Sequence, residues 1–406
     1  MDDRTRSRHH LGFWIVAVVF VLVMSYATVP TPLYPLYQEL DGFPVAMITV
    51  IFAAFAAGVM LALYLAGHVS DWVGRRRVLL VAVLLSIVAA VIFLLWPETA
   101  GLLVARVIDG LSVGLLTATA TAHLGELRAV ARPGEGPALA ASLAGAANIG
   151  GLALGPLIGG LFAEFLPAPL VLPHAVYLVL LVAAAGALLI VPETVTRPDE
   201  LPAYRPQRLA VPEGGGRVFL LAGAAVFSGF AVFGLFTSLA PTFLAKTFDE
   251  TDHLLAGIPP FAVFAAAAIG QVALAGLSLR RQLTIAIITC IAGLGLVAVG
   301  AVVPELIAFI VGGAIAGVGV GLLFKAATST VLAVADPARR GGTLALLFLV
   351  AYTGLTVPVI AVGVALVSIP PVPVLLVFIA LVLVGTTLAG LTMRRDAARA
   401  AASIAS

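Results

Sequence analysis

Long apolar runs recur along the whole chain, and each is long enough to cross a lipid bilayer. A membrane-spanning helix needs about 20 mostly apolar residues. With glycines, prolines and charge clusters read as boundaries, the sequence predicts twelve such segments. They cover 11–37, 44–67, 78–96, 99–123, 137–166, 170–191, 217–245, 254–278, 283–301, 304–332, 341–367 and 372–393. We therefore expect an all-α integral membrane protein.

The composition excludes a water-soluble globular protein. The chain has 406 residues, of which 62% are hydrophobic and 10% charged, with a mean hydropathy of +1.16. A soluble domain carries about 25% charged residues, so this chain cannot cover itself with polar groups. The net charge of +2 gives no reason to expect a nucleic-acid partner. The single cysteine, Cys290, rules out an intrachain disulfide and a thiolate metal cluster.

The gaps between the apolar segments predict two bundles of six helices. The first ten residues precede an apolar run that does not stop at signal-peptide length, so we expect a retained first helix. The longest gap is rich in proline, glycine and charge. It predicts an N-terminal bundle over 1–192, a cytoplasmic linker over 193–216 and a C-terminal bundle over 217–406.

The positive charges predict the orientation. With the N-terminus inside, only three of the 22 basic residues lie away from the cytoplasmic segments: Lys246 in an outer loop, and Arg106 and Lys325 within apolar segments. Short cytoplasmic loops of membrane proteins carry an excess of Lys and Arg. We therefore expect both termini in the cytoplasm, with the protein in the inner (plasma) membrane.

The two halves resemble each other weakly. Shifted by 207 residues, the fourth segment overlays the tenth, so that Gly110 meets Gly317 and Gly114 meets Gly321. Parallel repeats with a substrate site between them near mid-membrane describe a secondary transporter.

A short basic loop joins the second and third segments. Residues 67–77 read GHVSDWVGRRR, with Gly67, Asp71, Gly74, Arg75 and Arg76 at fixed spacing. This pattern closely resembles the loop between helices 2 and 3 of the major facilitator superfamily of transporters, except that Trp72 replaces a usual basic residue. The resemblance implies the major facilitator fold, alternating access, and a loop that steadies one conformation by contacting cytoplasmic helix ends.

The fourth segment carries the deepest acid in the chain. Arg106 and Asp109 are three residues apart, on one face of a helix, so they can pair. One reading is a self-satisfied structural ion pair. The other makes Asp109 a proton acceptor influenced by Arg106, since a charged group inside a membrane indicates function. The spacing Arg106-xxx-Gly110-xxx-Gly114 also resembles the superfamily segment whose arginine is implicated in proton coupling.

The fifth segment contains a glycine-proline pattern: Gly151, Gly155, Pro156, Gly159 and Gly160. Such a helix is thin and kinked, and another helix can approach it closely. Simple packing explains any pair of glycines at this spacing. The full pattern resembles the motif of proton-coupled drug antiporters in the superfamily, which favours export.

A second set of residues is predicted to line a substrate cavity, although packing is the alternative for each. Lys325 ends a glycine stripe in the tenth segment, where it either snorkels to the membrane surface or contacts an anionic or carbonyl-bearing substrate. The other candidates are Tyr34, Asn148, Phe236, Gln271 and Tyr352.

Enzyme signatures do not stand out in this sequence. It has no GxxxxGK[ST] loop for nucleotide phosphates, and His123 and His174 lie at segment ends without metal-ligand spacing. An enzyme, receptor or channel therefore fits less well than a transporter, and we expect no metal or cofactor.

The sequence thus predicts a transporter with twelve helices in two pseudo-symmetric bundles. We expect a monomer in the lipid bilayer, with protons and a small-molecule substrate as partners. The favoured function is proton-coupled efflux of small amphipathic molecules or drugs. The alternative is transport of an anionic metabolite recognised by Arg106 and Lys325.

Overall fold

All regular structure in the part of the chain that is described is helical. The structure is a computed structural model that describes residues 3–196, 198, 200, 203–336 and 339–405. The α-helices are α1 (Asp3–Tyr26), α2 (Tyr34–Asp41), α3 (Val45–Ala66), α4 (Ser70–Val73), α5 (Arg75–Leu95), α6 (Thr99–Ala131), α7 (Ala138–Phe165), α8 (Leu172–Leu188), α9 (Gly216–Thr247), α10 (His253–Ala273), α11 (Leu279–Val302), α12 (Leu306–Val334), α13 (Arg340–Ala365) and α14 (Pro371–Ala405).

Eleven helical stretches among the described residues are long and apolar enough to cross a membrane. Helices α1 and α2 together form the first, and α4 is a short helix within the basic loop. The remaining predicted segment corresponds to α8, which has 17 residues. At 1.5 Å per residue it covers about 26 Å, slightly less than the ~30 Å hydrocarbon core of a bilayer.

The chain divides into two compact units. Unit 1 contains Met1–Asp41 and Ala54–Gln207, and unit 2 contains Gly42–Ala53 and Arg208–Ser406. The division late in the chain thus falls within the predicted linker, whereas the first part of α3 groups with unit 2.

In unit 1, small residues of α6 pack directly on the backbone of α3. A side chain at Gly110 would collide with the carbonyl oxygen of Phe55. One turn further on, a Cβ at Gly114 would lie 2.8 Å from the carbonyl oxygen of Val59. These glycines let the two helices approach to backbone contact.

Unit 2 repeats this arrangement with α12 and α10. A Cβ at Gly317 would collide with the carbonyl oxygen of Val263, and one at Gly321 would lie 2.5 Å from that of Ala267. The partners are displaced along the sequence like the glycines themselves, since Val263 and Ala267 each lie 208 residues beyond Phe55 and Val59. The same contact in both units supports the internal duplication that the sequence predicts.

The glycine contacts predict an effect on stability that a matched substitution isolates. Alanine is favoured over glycine in a helix by about 1 kcal/mol, but overpacking costs about 1–3 kcal/mol. We expect Gly317→Ala to lower the thermal unfolding midpoint in detergent, and Gly295→Ala in α11, whose added Cβ meets no atom within 4 Å, to leave it unchanged or higher. Unfolding is followed with a thiol-reactive dye on Cys290, the only cysteine and a buried one. Equal midpoints for both variants would contradict the packing argument.

Candidate functional site

The first membrane crossing is interrupted where prolines cluster. Helix α1 ends at Tyr26, a turn and a 3-10 helix (Thr31–Leu33) follow, and α2 begins at Tyr34. In a continuous helix the amide of Thr31 would donate to the carbonyl of Ala27. Here that amide donates to the carbonyl of Thr28 at 3.1 Å. The carbonyl of Ala27 is therefore available to another donor.

Arg106 of α6 supplies that donor. Its Nη1 donates to the Ala27 carbonyl at 2.7 Å and to Oδ2 of Asp109 at 3.0 Å. Its guanidinium also lies over the ring of Phe55, 4.2 Å from the centroid. Arg106 is 1% exposed and Asp109 is 0% exposed. The structure thus brings the two predicted residues together and adds a backbone acceptor from a distant segment.

Two atoms of this ion pair lack a protein partner among the described residues. They are Nε of Arg106 and Oδ1 of Asp109, and both are buried. An ionised carboxylate only accepts hydrogen bonds, whereas a protonated carboxyl also donates one. Oδ1 is therefore the oxygen of Asp109 that no protein donor occupies among the described residues.

Helix α7 packs against the interruption through its glycine-proline pattern. A Cβ at Gly151 would lie 2.5 Å from the Cβ of Met24, one at Gly155 would collide with the Ser25 carbonyl oxygen, and one at Gly159 with that of Val29. The residues that the sequence assigns to a close helix contact therefore lie at the α1–α7 interface, and Gly160 is buried on the same helix.

Pro156 explains a hydrogen bond at this interface. Because proline has no amide hydrogen, the carbonyl four residues earlier loses its helical donor. That carbonyl belongs to Leu152, and the hydroxyl of Thr28 donates to it at 3.0 Å. The turn after α1 thus supplies the donor for the carbonyl that Pro156 leaves free within α7.

The basic loop is organised around Arg75. Its side chain donates to Glu126 of α6 from Nε at 3.1 Å and from Nη2 at 2.9 Å, and its Nη1 donates to Asp71 at 2.5 Å. Glu126 also accepts from the hydroxyl of Thr194 at 2.5 Å. The side chain of Asp71 is 61% exposed, whereas that of Glu126 is 35% exposed. Glu126 is therefore the better-buried partner of Arg75.

Glu193 completes the loop from beyond α8. Its Oε1 accepts from the amide of Arg75 at 2.8 Å and its Oε2 from that of Arg76 at 3.2 Å. The first amides of a helix have no partner within it, and their partial positive charge favours an anion. Glu193 therefore caps α5. Gly74, with φ +114°, permits this approach, because a Cβ there would lie 2.5 Å from Oε2 of Glu193.

Arg76 binds the segment at the C-terminal end of α8. Its Nη1 donates to the carbonyls of Leu189 and Val191, each at 3.2 Å. A Cβ at Gly67 would lie 2.7 Å from the carbonyl oxygen of Leu63. The loop motif thus contacts helix ends inside unit 1. The sequence analysis did not predict Glu126 and Glu193 as partners of the loop, because no motif distinguishes them from the other acidic residues near helix ends.

In unit 2, Lys325 contacts the end of α10. Its Nζ donates to the carbonyl of Gln271 at 3.0 Å, in the last turn of that helix. A cation at a helix C-terminus is favoured by the free carbonyls there. Nε2 of Gln271 is buried and has no partner among the described residues. The two predicted cavity residues are therefore neighbours.

A cluster of half-buried aromatic rings lies on α9, α12 and α13. The ring of Phe230 lies 5.4 Å from that of Phe324 and 6.1 Å from that of Tyr352. The ring of Phe348 lies 5.8 Å from that of Phe324. We call these four residues the aromatic cluster. Of its members only Tyr352 is among the residues singled out in the sequence.

The remaining predicted cavity residues differ in exposure. Asn148 of α7 is partly exposed in unit 1. Tyr34 is 1% and Phe236 0% exposed, so both side chains are packed within their own units. The ring of Phe236 lies 5.4 Å from that of Phe309. The aromatic cluster, rather than Phe236, presents accessible rings in unit 2.

The cap on α5 predicts that Glu193 protects the first amides of this helix from hydrogen exchange. A hydrogen bond to a charged group contributes about 1.5–3 kcal/mol. We expect Glu193→Ala to accelerate hydrogen exchange of the Arg75 and Arg76 amides by at least about tenfold. Exposed Glu200 in the same linker gives the control, and Glu200→Ala should leave these amides unchanged. Unchanged exchange in Glu193→Ala would refute the cap.

Comparison with known proteins identifies the family. The sequence profile of the Major Facilitator Superfamily matches residues 13–357. A search of curated protein sequences finds no match.

Several solved structures share the fold. The human organic anion transporter MFSD10 (TETRAN) is 18% identical, covers 94% of this chain and 99% of its own, and has a TM-score of 0.66. A variant of the peptide transporter POT in complex with alafosfalin is 14% identical, covers 98% of both chains and has a TM-score of 0.76. A variant of the nucleoside transporter NupG is 13% identical, covers 94% of this chain and 99% of its own, and has a TM-score of 0.69.

These likenesses confirm the predicted all-α membrane fold. The three structures carry different substrates in their names, so the fold by itself selects none of them. The family consists of transporters rather than enzymes, as the sequence predicts. This chain therefore belongs to the Major Facilitator Superfamily and is a multi-pass membrane protein that acts as a secondary transporter.

Proposed function

We propose that this transporter exports small amphipathic molecules in exchange for protons. The observation that carries the proposal is the buried pair of Arg106 and Asp109, in which Oδ1 of Asp109 has no protein partner among the described residues. Buried ionisable groups in membrane proteins are costly and recur on proton pathways. Asp109 is the proposed proton acceptor, and Arg106 is the group that senses its charge.

The contacts of Arg106 suggest how a proton acts on the fold. Its Nη1 is shared between the Asp109 carboxylate and the Ala27 carbonyl. A proton on Asp109 removes the negative charge and weakens that half of the interaction. Arg106 then depends more on Ala27, which lies in the interruption of the first crossing. Protonation is thereby linked to the position of α1 and α2.

Two features support amphipathic substrates and export. The aromatic cluster offers half-buried rings that suit apolar and aromatic groups. The pattern of Gly151, Gly155, Pro156 and Gly159 resembles that of proton-coupled drug antiporters, and in this chain it packs α7 on α1.

We further propose the cellular arrangement from the basic residues. The protein lies in the inner (plasma) membrane with both termini on the cytoplasmic side. It acts as a monomer, in which the bundles 1–192 and 217–406 rock about the linker 193–216. Arg197, one of the linker residues that support this orientation, lies outside the described residues. Asp71 and its loop steady one conformation.

A second candidate function rests on Lys325. Its ammonium group is held by Gln271 at the end of α10, and the partly exposed rings of Phe324 and Tyr352 lie on α12 and α13. A lysine combined with aromatic rings suits an organic anion. In this case Lys325, together with Arg106, recognises the anionic substrate.

Proton coupling is tested in proteoliposomes that contain a pH-sensitive dye. Ethidium and tetraphenylphosphonium serve as cationic probes, and benzoate and fluorescein serve as anionic ones. We expect proton flux on addition of a cationic probe and its reduction to the level of empty liposomes in Asp109→Asn, because asparagine cannot bind the proton. Glu305→Gln, the same chemical change at an exposed acid, should retain the flux.

Folding and alternatives are separated by further variants. Removing one partner of a buried ion pair costs about 3–5 kcal/mol, so Asp109→Asn could fail by unfolding. Asp109→Glu, which keeps a titratable carboxyl, is therefore measured alongside Asp109→Asn and should retain flux. Flux that persists in a folded Asp109→Asn protein would show that the pair of Arg106 and Asp109 is structural and does not carry the proton. Flux with the anionic probes alone, lost in Lys325→Gln, would establish the second candidate instead.

The loop gives an independent prediction. We expect Asp71→Asn to abolish probe transport while leaving the thermal unfolding midpoint unchanged, since the carboxylate of Asp71 is 61% exposed and exposed ion pairs contribute little to stability. Transport and unfolding are measured on the same preparation. Full transport in this variant would show that the loop does not control the conformational change.

A further inference from the structure

A buried histidine joins the two sides of the interrupted first crossing. His174, the third residue of α8, is 0% exposed. Its Nδ1 lies 3.0 Å from the hydroxyl of Tyr26, and its Nε2 lies 2.9 Å from the hydroxyl of Tyr37. The ring of Phe93 stacks on the imidazole with centroids 4.5 Å apart. Both ring nitrogens are therefore engaged.

The two tyrosines flank the interruption. Tyr26 is the last residue of α1, and Tyr37 lies in the middle of α2. Between them, 27–33 form a turn and a 3-10 helix. Helix α2 has eight residues, and isolated helices shorter than about 12–15 residues are marginal. Tertiary contacts must therefore fix its position.

The chemistry of the contact suits a neutral imidazole. A neutral ring has one donor and one acceptor nitrogen, and each tyrosine hydroxyl both donates and accepts. Either tautomer satisfies one hydroxyl as donor and the other as acceptor. A charged ring would donate from both nitrogens to hydroxyl groups, and neither of these hydrogen-bonded partners carries a compensating negative charge. The contact thus suits a mechanical link rather than a charge pair.

We propose that His174 is a positioning residue that fixes α2 relative to the end of α1. The link bears directly on the ion pair, because Ala27, the acceptor for Arg106, is the residue after Tyr26. With His174 in place, the Ala27 carbonyl is held within reach of the guanidinium. This role depends on neither the substrate nor the coupling ion of the proposed function.

A second hydrogen bond between α1 and α8 supplies a matched control. The hydroxyl of Tyr177 in α8 lies 2.6 Å from Oγ of Ser25 in α1, and both residues are buried. Tyr177→Phe removes this bond between α1 and α8 but leaves both contacts of His174. Tyr177→Phe should therefore accelerate hydrogen exchange in α1 only, whereas loss of the His174 contacts should accelerate it in α2 as well.

Hydrogen exchange of the full-length protein in nanodiscs tests the proposal. We expect His174→Phe, which keeps an aromatic ring but removes both hydrogen bonds, to accelerate exchange of α2 amides by about tenfold, equivalent to about 1.4 kcal/mol. Tyr37→Phe, a smaller change, should accelerate the same amides. His174→Gln retains a donor and an acceptor and should restore part of the protection. Tyr177→Phe should leave α2 at the wild-type rate.

Three outcomes would overturn the proposal. The first is wild-type exchange of α2 in Tyr37→Phe, which also decides the matter if His174→Phe does not fold. The second is equal acceleration of α2 in Tyr177→Phe, which would indicate a general loosening of α8. The third is no difference between His174→Gln and a folded His174→Phe, because the hydrogen bonds would then not be the contacts that protect α2.

Discussion

The carbonyl of Ala27 is the point on which the N-terminal unit depends. In a bilayer a freed backbone carbonyl finds no water, so a break in a membrane helix requires an internal donor. Arg106 provides it at 2.7 Å, and Asp109 compensates its charge at 3.0 Å. One cluster thus both allows the first crossing to be discontinuous and places a titratable acid beside it. Structure and proposed coupling share the same atoms.

The interruption between α1 and α2 and the proline of α7 complement each other in the same way. Pro156 frees the carbonyl of Leu152, and Thr28 in the interruption of the first crossing donates to it. Glycines on α7 remove the side chains that would keep the two backbones apart. A glycine-proline pattern is therefore more than a flexible point in the helix. It is one half of an interface whose other half is the end of α1 and the proline-containing turn that follows it.

The two units share their packing but differ in their polar chemistry. Gly110 and Gly317 make equivalent backbone contacts, as an internal duplication requires. Unit 1 carries a buried ion pair on α6. Unit 2 instead carries Lys325 on α12, next in sequence to Phe324 of the aromatic cluster and bonded to the last turn of α10. Both positions require a small residue because an added side chain would meet backbone. The polar groups around these contacts differ between the two units.

The sequence alone was sufficient to predict the all-helical membrane fold, the charge pattern of the loops, the family and the ion pair of Arg106 with Asp109. These follow from local rules, namely the length of apolar runs and the three-residue spacing on a helix. It did not determine which donor satisfies the carbonyl freed at the break in the first crossing, which partners Arg75 takes or that His174 is bonded on both sides. The contact of His174 with Tyr26 spans 148 residues and that of Arg75 with Glu126 spans 51. Only tertiary packing brings such residues together, because hydrogen-bond partners remote in sequence leave no periodic signal in it.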